Sequence, residues 1–404
     1  MSFKLLSLSS MYPGFLESFY IKNPQSKHMQ YEDQYNLLLN NSTEFAAAYT
    51  RNFRKLGIDA KCIISNDNSL QTKWKAENGL NSDKSSDILF EQVNSFKPDI
   101  LWIEDFSCLN SGWFTEVRNK IKTIKLIIAY HCAPYNKEIL GKLKNADFIF
   151  TCTPGLKKSF EDEGLKVYMV YHGFDNELLT KIDRKTDTSF NNLIFSGSLI
   201  TGGFNHNARI NLIESLLKEK INLTLYVTLE NRYKIKAKQL IYILTNFLKK
   251  LNMQSITERV PIFEYGQTPV KSYSDILLKS NNHPLYGMDM YKLFNNSKVV
   301  LNMHIDVAGE YAGNMRMFEV TGMGSCLLTD NKKNMEDLFE AGEEVVVYDS
   351  PGDCIDKVRW LLENENERAK IARKGQKRTL ESHTVEKRCK SIIDIINNEL
   401  SISQ

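Results

Sequence analysis

The sequence predicts an α/β protein built from two doubly wound parallel-sheet domains. In each half of the chain, short apolar segments alternate with amphipathic stretches of helical length, which is the pattern of parallel strands joined by helical crossovers. Between the two halves, residues 176–191 form a polar, charged stretch that is the best linker candidate. A chain of 404 residues is long enough for two domains that each bury their own core.

The apolar segments are the predicted strands of the two sheets. The first series comprises residues 3–9, 60–64, 100–105, 125–130, 148–152 and 167–171. The second series comprises residues 193–196, 223–227, 260–263, 298–303, 326–329 and 345–348. Among the intervening helices, 44–56 is followed by Gly57, a residue type favoured after a helix because it accepts a left-handed backbone. A last helical stretch, 385–400, follows the second series.

Composition excludes several classes of protein. A net charge of +3 gives no support for a nucleic-acid partner, because dedicated nucleic-acid binders usually carry a strongly basic domain. The seven cysteines have no CxxC spacing, the histidines lack ligand spacing and the relevant loops have no DxD, so no metal and no cofactor are expected. No apolar run approaches the roughly 18 residues of a membrane span, and the start of the chain reads as a strand. These features predict a cytoplasmic protein.

The loops that follow the first series of strands are candidate sites, because open parallel sheets bind ligands beyond the carboxyl ends of their strands. Asp105 and His131 are the candidate catalytic residues, since a carboxylate or an imidazole can accept a proton from a hydroxyl group. Their alternative roles are structural, with Asp105 capping the following helix and His131 bonding a loop carbonyl. Glu104 is the rival to Asp105, because neighbouring strand residues point to opposite faces.

The first strand of the second series ends in small residues that would admit a ligand. Gly197 and Ser198 would let phosphate groups or a sugar approach the backbone, and Arg209 would neutralise diphosphate charge. Tyr265 follows the predicted strand 260–263 in a loop that would recognise a nucleobase. An ordinary turn with a surface tyrosine is the alternative interpretation of that loop.

The segment 299–330 is the most informative part of the chain. A predicted strand leads through a loop opened by His304 into a helix that begins at about Asn314, and a helix N-terminus suits a phosphate group. Arg316 places a cation in the first turn, where the helix dipole disfavours it unless an anion binds nearby. Glu319, one turn further on, is within reach of a ribose diol. The alternative is a surface helix that carries an ordinary ion pair.

Four motifs resemble the C-terminal half of the CgeB-like glycosyltransferases. They are R-x-F-E-x-x-x-x-G from Arg316, LLTD ending at Asp330, FEAGEE from Phe339 and H-T-x-x-x-R ending at Arg388. The resemblance implies the GT-B fold, in which two Rossmann-like doubly wound parallel-sheet domains face a central cleft. It also implies that Glu319 holds the ribose of a donor nucleotide. His304 in the loop and Asn314 at the start of the helix are further candidate donor contacts.

The resemblance assigns a role to each part of the chain. Residues 1–180 are expected to form an N-terminal acceptor-binding domain, and residues 181–382 a C-terminal domain that binds the nucleotide-sugar donor. Residues 383–404 would form a C-terminal helix that packs back on the N-terminal domain. The alternative is a helix that caps its own domain.

The function implied by the resemblance is transfer of a sugar from a nucleotide diphosphate sugar, with a UDP-sugar as first choice. The acceptor would be a glycan or glycolipid in bacterial surface polysaccharide synthesis, and no metal would be needed. One alternative is a nucleotide-sugar epimerase or phosphorylase on the same fold. Another is a non-catalytic glycan-binding or coat factor. Inversion and retention at the anomeric carbon both stay open.

One further amphipathic stretch lies between residues 234 and 251. Five apolar residues fall on one helical face, with four lysines around them: Leu240, Leu244, Phe247, Leu248, Leu251, Lys234, Lys238, Lys249 and Lys250. The interpretation preferred here is a helix packed on the core with a solvated basic face. A helix lying on the inner face of a membrane is the alternative, and it would make the protein peripheral to that membrane.

Overall fold

The computed structural model describes residues 3–182, 191–202, 206–305 and 308–402. It divides into two compact units. The first consists of Met1–Ile182, Tyr286–Met290 and Thr379–Gln404, and the second of Asp183–Leu285 and Tyr291–Arg378. Of the predicted linker, residues 176–180 form a short 3-10 helix, and residues 183–190 lie outside the described ranges.

Residues 3–182 of the first unit form six strands and eight helices. Strands β1 to β6 are Lys4–Ser9, Asp59–Ile64, Ile100–Ile103, Leu126–Tyr130, Phe148–Thr151 and Val167–Met169. Helices α1 to α8 are Pro13–Lys22, Tyr31–Asn41, Phe45–Lys55, Asn68–Glu77, Ser85–Phe96, Ser111–Lys120, Lys137–Leu143 and Pro154–Asp162. Two 3-10 helices are Pro24–His28 and Asn176–Thr180.

The six strands of the first unit form one parallel sheet in the order β2-β1-β3-β4-β5-β6. Successive residues of a strand enter separate apolar cores on the two faces of the sheet. Leu5 and Trp102 belong to one core, and Leu6 and Leu101 to the other. The chain order reverses at β1, which pairs with β2 on one side and β3 on the other. The loops after β1 and β3 therefore flank a crevice at the carboxyl edge.

In the described part of the remaining chain there are six further strands and ten helices. Strands β7 to β12 are Asn191–Leu199, Leu223–Leu229, Asn281–Asn282, Ser297–Leu301, Cys326–Asp330 and Val346–Tyr348. Helices α9 to α13 are Asn207–Lys218, Arg232–Lys250, Gln254–Arg259, Asp275–Ser280 and Met288–Asn295. Helices α14 to α18 are Met315–Gly322, Met335–Leu338, Pro351–Glu363, Glu365–Ser382 and Val385–Ile402. A third 3-10 helix is Pro261–Gly266.

The second sheet is also parallel, with the order β12-β11-β10-β7-β8-β9. Its chain order reverses at β7, which pairs with β8 on one side and β10 on the other. The loops after β7 and β10 therefore flank the second crevice. These two parallel sheets with their flanking helices confirm the predicted α/β fold class.

One predicted strand is wrong. Residues 260–263 form no strand, because the chain runs from helix α11 directly into the 3-10 helix Pro261–Gly266. Pro261 has no N–H to give to a strand ladder, which disfavours a strand interior at this position. The outermost strand of the sheet is instead the two-residue β9, which pairs with β8. An apolar run alone did not distinguish a short helix from a strand.

The preferred interpretation of the stretch 234–251 is also wrong. It forms helix α10, as predicted, but Leu240, Leu244, Phe247 and Leu251 of its apolar face are exposed. The buried residues of the helix are Ile235, Lys238 and Thr245. The helix thus packs through a mixed face and presents its apolar face outward.

The terminal helix α18 belongs to the core of the first unit. Its buried residues Val385, Cys389, Ile392, Ile396 and Leu400 join the apolar core that contains β1, β3 and β4. The chain before it is fixed by Phe174, whose N–H donates to the His383 carbonyl at 2.8 Å and whose carbonyl accepts from the Val385 N–H at 2.9 Å.

Candidate active site

The crevice of the first unit holds a carboxyl group with an unusual proton affinity. Glu104 follows β3, and its Oε2 accepts a hydrogen bond from the Ser9 hydroxyl at the end of β1. Burial raises the pKa of Glu104 to about 8, the Ser9 hydrogen bond opposes that rise, and the charge of Asp105 adds to it. A carboxyl group that titrates near neutral pH can both accept and return a proton. The sequence offered Glu104 only as the rival to Asp105.

Asp105 ties neighbouring loops together. It accepts hydrogen bonds from the Ser65 hydroxyl, after β2, and from the Ser107 N–H at 2.9 Å. The alternative role of helix cap is wrong, because Asn110 caps α6 by accepting from the Trp113 N–H at 3.0 Å. A catalytic role for Asp105 stays a prediction.

His131 follows β4 and lies between two aromatic rings. Its ring centroid is 6.5 Å from that of Phe106 and 6.0 Å from that of Phe160. Burial lowers the pKa of His131, and hydrogen bonds with the backbone of Ala133 and Pro134 oppose that change. Its Nε2 is buried and has no hydrogen-bond partner among the described residues. These hydrogen bonds to the loop backbone agree with the structural role that was the alternative for His131. Its catalytic role stays a prediction.

The crevice of the second unit is crossed by a buried guanidinium group. Arg209 donates from Nη1 to the Ser198 carbonyl at 3.1 Å and from Nη2 to the Met303 carbonyl at 2.6 Å. Its Cζ lies 5.6 Å from the centroid of the Phe195 ring. Ser198 lies in β7 and Met303 follows β10, so Arg209 places a permanent positive charge at the point where ligands of such sheets bind. At Gly197, an added Cβ would have only an ordinary contact with Phe195, at 3.6 Å.

His304 fixes the loop between β10 and α14. Its Nδ1 lies 2.8 Å from Oδ1 of Asp330, and its backbone N–H donates to the same oxygen at 2.9 Å. Its Nε2 accepts from the Gly313 N–H at 3.4 Å. Both ring nitrogens therefore face protein groups, so in this structure His304 positions the loop. A direct donor contact stays a prediction. Residues 306 and 307 of the loop lie outside the described part of the chain.

The partner of His304 is a strongly acidic carboxyl group. Burial alone would raise the pKa of Asp330, but the hydrogen bonds and charge of His304 and the charge of Lys332 outweigh it and lower the pKa to about 2. Asp330 is nine-tenths buried and its Oδ2 lies 3.2 Å from Lys332 Nζ. The carboxylate therefore stays ionised at neutral pH and orders the loop that leads to α14.

The N-terminus of α14 has no side-chain cap from the residue that precedes it. Asn314 occupies the N-cap position but makes no side-chain cap. Its Nδ2 instead donates to Oδ1 of Asn302 at 2.9 Å, and Asn302 donates to Thr329 at 2.9 Å. The amide of Asn314 is thus bonded to Asn302, which follows β10, and does not cap the N–H groups of the first helical turn.

Arg316 and Glu319 form an ion pair, as the alternative interpretation of this helix predicts. Arg316 Nη1 donates to Oε2 of Glu319 at 2.7 Å, and the Tyr291 hydroxyl donates to Oε1 at 3.0 Å. The Arg316 Cζ lies 4.7 Å from the centroid of the Phe294 ring. Glu319 is buried, with 6% of its surface exposed. Because a carboxylate has about four acceptor positions, this pairing leaves room for a ribose hydroxyl, and the predicted role stays a prediction.

Tyr265 does not lie in a loop after a strand. It belongs to the 3-10 helix Pro261–Gly266, which packs closely on α10 because an added Cβ on Gly266 would lie 2.1 Å from Oγ1 of Thr245. The side chain of Tyr265 lies outside the described part of the structure. The prediction that Tyr265 lies in a loop after a strand, where it would recognise a nucleobase, is therefore wrong.

The structure also assembles a cluster that sequence reasoning missed. The ligand atoms of Cys132, Cys152 and His172 all lie within 4.8 Å of one another, after β4, β5 and β6. The Tyr130 hydroxyl lies 3.2 Å from Nδ1 of His172. Two thiols and an imidazole are ligands that could hold a zinc ion. Their sequence spacing gave no signal, because only the parallel pairing of three strands brings them together.

Comparison with known proteins identifies the class. Residues 245–394 match the family model described as "Glycosyl transferase-like". No curated protein sequence matches this chain. Among solved structures, HepE of Anabaena in complex with UDP and glucose is 13% identical, with a TM-score of 0.55 over 98% of this chain and 99% of that one.

Two further solved structures share the fold. The glycosyltransferase of Rickettsia africae is 9% identical, with a TM-score of 0.53 over 98% of this chain and 97% of that one. The sucrose-phosphate synthase of Thermosynechococcus elongatus is 6% identical, with a TM-score of 0.55 over 99% and 100%. Identities this low show the fold alone, which is the predicted GT-B fold. With its glycosyl transferase-like domain, the chain is an enzyme of the glycosyltransferase class.

Proposed function

We propose that this enzyme transfers a sugar from a UDP-sugar to a hydroxyl group of a glycan or glycolipid acceptor in bacterial surface polysaccharide synthesis. One observation carries the proposal furthest: Arg209 bridges the carboxyl ends of β7 and β10 in the unit that contains most of the glycosyl transferase-like domain. HepE, which shares the fold, binds UDP and UDP-glucose. The motifs around Arg316 and Asp330 support membership of the CgeB-like group as part of the same proposal.

Donor binding follows from the second crevice. The diphosphate would lie at the start of α14, where the helix dipole and backbone N–H groups favour an anion. Arg209 and Arg316 add two guanidinium charges, and Glu319 would accept hydrogen bonds from the ribose hydroxyls. Two fixed cations and a helix N-terminus can stabilise the charge that grows on the leaving diphosphate. We therefore propose that transfer needs no metal ion.

We assign the general base that accepts the acceptor's proton to the first unit. In an inverting transfer, the acceptor oxygen bonds to the anomeric carbon while the bond from that carbon to the UDP oxygen breaks. The acceptor hydroxyl must lose its proton, and Glu104 is the carboxyl whose raised pKa suits it to take that proton. His131 and Asp105 are the competing assignments.

A nucleotide screen followed by a donor assay tests the function. Stabilisation in a thermal-shift experiment is expected with UDP and not with ADP or GDP. Slow release of UDP from a UDP-sugar is then expected without an acceptor, and faster release with one. An epimerase would change the sugar without releasing UDP, and a phosphorylase would need phosphate. No thermal response to any nucleoside diphosphate would contradict the proposal.

A further inference from the structure

The outward face of helix α10 carries an apolar stripe. Its members are spaced mainly by three, four or seven residues, which places them on one side of the helix. Large apolar residues on this side are exposed by between 47% and 68% of their surface: Tyr233, Leu240, Ile243, Leu244, Phe247 and Leu251. Single exposed apolar residues are ordinary on protein surfaces, whereas a continuous row of this size marks an interaction surface.

Further exposed apolar residues follow α10 in the chain. Met253 follows the helix, Ile256 lies in α11, Val260 follows α11 and Ile262 lies in the next 3-10 helix, and all four are exposed. These elements pack on α10: the N–H of Met253 donates to the Leu248 carbonyl at 3.0 Å. We call the stripe on α10 together with these residues the α10 surface.

The charge of the helix is of one sign. Its 19 residues include six basic side chains and no acidic one: Arg232, Lys234, Lys236, Lys238, Lys249 and Lys250. Lys236 and Lys250 are exposed and lie along one edge of the apolar stripe. Lys238 faces inward, with its Nζ 2.6 Å from Oε1 of Glu230. A basic helix with an exposed apolar face has the composition of helices that lie in a membrane interface.

The inner face of α10 is fixed to the carboxyl edge of the second sheet. Lys238 donates to the Thr201 carbonyl at 2.9 Å, and the Thr201 N–H donates to Glu230 at 2.8 Å. Thr201 follows β7, whose end is also held by Arg209. The α10 surface is therefore a rigid part of the unit that carries the donor crevice, and whatever it binds lies near that unit.

We propose that the α10 surface docks on a membrane that contains anionic lipids. The apolar side chains would enter the region below the headgroups, while Lys236 and Lys250 contact lipid phosphates. A second copy of this chain fits less well, because a symmetric contact would bring two basic helices together. None of the helices within the described ranges has the length and apolarity that crossing a membrane requires. The proposal rests on this surface and is independent of the transfer reaction.

Vesicle sedimentation tests the proposal with the whole chain. Wild-type protein should bind vesicles of phosphatidylcholine mixed with phosphatidylglycerol and bind pure phosphatidylcholine much less. Binding should weaken as salt is raised, because salt screens the lysine charges. Leu244→Ser with Phe247→Ser should reduce binding roughly tenfold or more, since each change removes an apolar side chain that the membrane would bury. Lys236→Glu with Lys250→Glu should reduce binding to anionic vesicles only.

Matched changes elsewhere on the surface serve as controls. Ile21→Ser removes an apolar residue of α1 that is 72% exposed, and Lys218→Glu reverses an exposed charge at the end of α9. Neither should alter vesicle binding, and all variants should keep the thermal shift with UDP. Wild-type protein that fails to bind anionic vesicles overturns the proposal. A stable dimer in sedimentation velocity that Phe247→Ser dissociates would also overturn it, because the surface would then be a subunit interface.

Discussion

Each unit carries a six-stranded parallel sheet with one point where the chain order reverses, and in each unit a side chain bridges the loops beside that point. In the first unit, the bridge is the hydrogen bond between Ser9 and Glu104. In the second unit, it is Arg209, which donates to the carbonyls of Ser198 and Met303. The first bridge holds a proton that can be exchanged near neutral pH, and the second holds a charge that cannot be lost.

Two parallel sheets that each reverse their chain order once therefore carry different chemistry. The backbone provides a crevice at the carboxyl ends of two strands, and the loops after those strands decide what the crevice offers. Carboxylates and an imidazole follow the strands of the first unit, which suits proton transfer. Guanidinium groups and a helix N-terminus follow those of the second, which suits a diphosphate.

The largest expected effect comes from Glu104→Gln, which removes the exchangeable proton of the first crevice. Loss of a positioned general base typically lowers turnover about 10²–10⁴-fold. The wild-type rate should rise between pH 7 and 9, because a base must be deprotonated and the pKa of Glu104 lies at about 8. Steady-state rates across this pH range, with UDP affinity measured in parallel, check the prediction. Asp105→Asn and His131→Ala are the comparison variants.

Glu104→Gln should also stabilise the fold at high pH, so a loss of turnover in this variant could not be explained by unfolding. Because the folded-state pKa of Glu104 is raised from 4.5 to about 8, the folded protein loses stability as pH rises through that window. Glu104→Gln avoids this loss and should unfold at a higher temperature than wild type at pH 8. If Glu104→Gln keeps full turnover while Asp105→Asn or His131→Ala loses it, the base is one of those residues.

A smaller effect on turnover is expected from Arg316→Ala in the second unit. Charge grows on the leaving diphosphate in the transition state, so a guanidinium group near it matters most at that moment. Turnover should fall roughly 10²-fold, whereas affinity for UMP should fall much less. Arg359→Ala, at an exposed residue of helix α16, is the matched control. Equal losses of turnover and UMP affinity would show a structural role for Arg316.

Glu319→Ala should weaken UDP binding about tenfold or more. Hydrogen bonds to a charged group contribute ~1.5–3 kcal/mol, and the ribose hydroxyls would lose theirs. Calorimetric titration with UDP measures the change. Tyr291→Phe removes only the hydroxyl that donates to Glu319 and should have a smaller effect. Unchanged UDP affinity in Glu319→Ala would leave the ion pair with Arg316 as the whole role of this residue.

The smallest expected effect concerns stability. Asp330→Asn removes a carboxylate whose pKa is lowered from 3.8 to about 2, so it should cost the folded protein roughly 2 kcal/mol at pH 7. Because a lowered pKa stabilises the fold only above the unfolded value, the difference should shrink as pH falls from 3.8 toward 2. Urea unfolding at several pH values measures it, with Asp349→Asn as an exposed control. A constant difference across this range would contradict the assigned cause.

Most strands of both units are predictable from the sequence alone. Apolar runs of strand length located β1 to β8 and β10 to β12 to within a few residues, because buried parallel strands are apolar on both faces. The run at 260–263 forms no strand, because periodicity does not separate a short apolar strand from a short helix and Pro261 has no N–H for a strand ladder. The helix at 314 was found because a strand, a loop and a cation in the first turn are all local signals.

The roles of the site residues depend on contacts between distant parts of the chain. The pKa of Glu104 depends on burial and on Ser9 from another strand, and neither is visible in the local sequence. The pairing of His304 with Asp330 and the bridge formed by Arg209 likewise join residues from different strands. The outward apolar face of α10 follows the same rule, since periodicity defines a face and neighbouring elements decide whether it is covered. Local signals fix the elements, whereas proton affinity and exposure arise from contacts made across the chain.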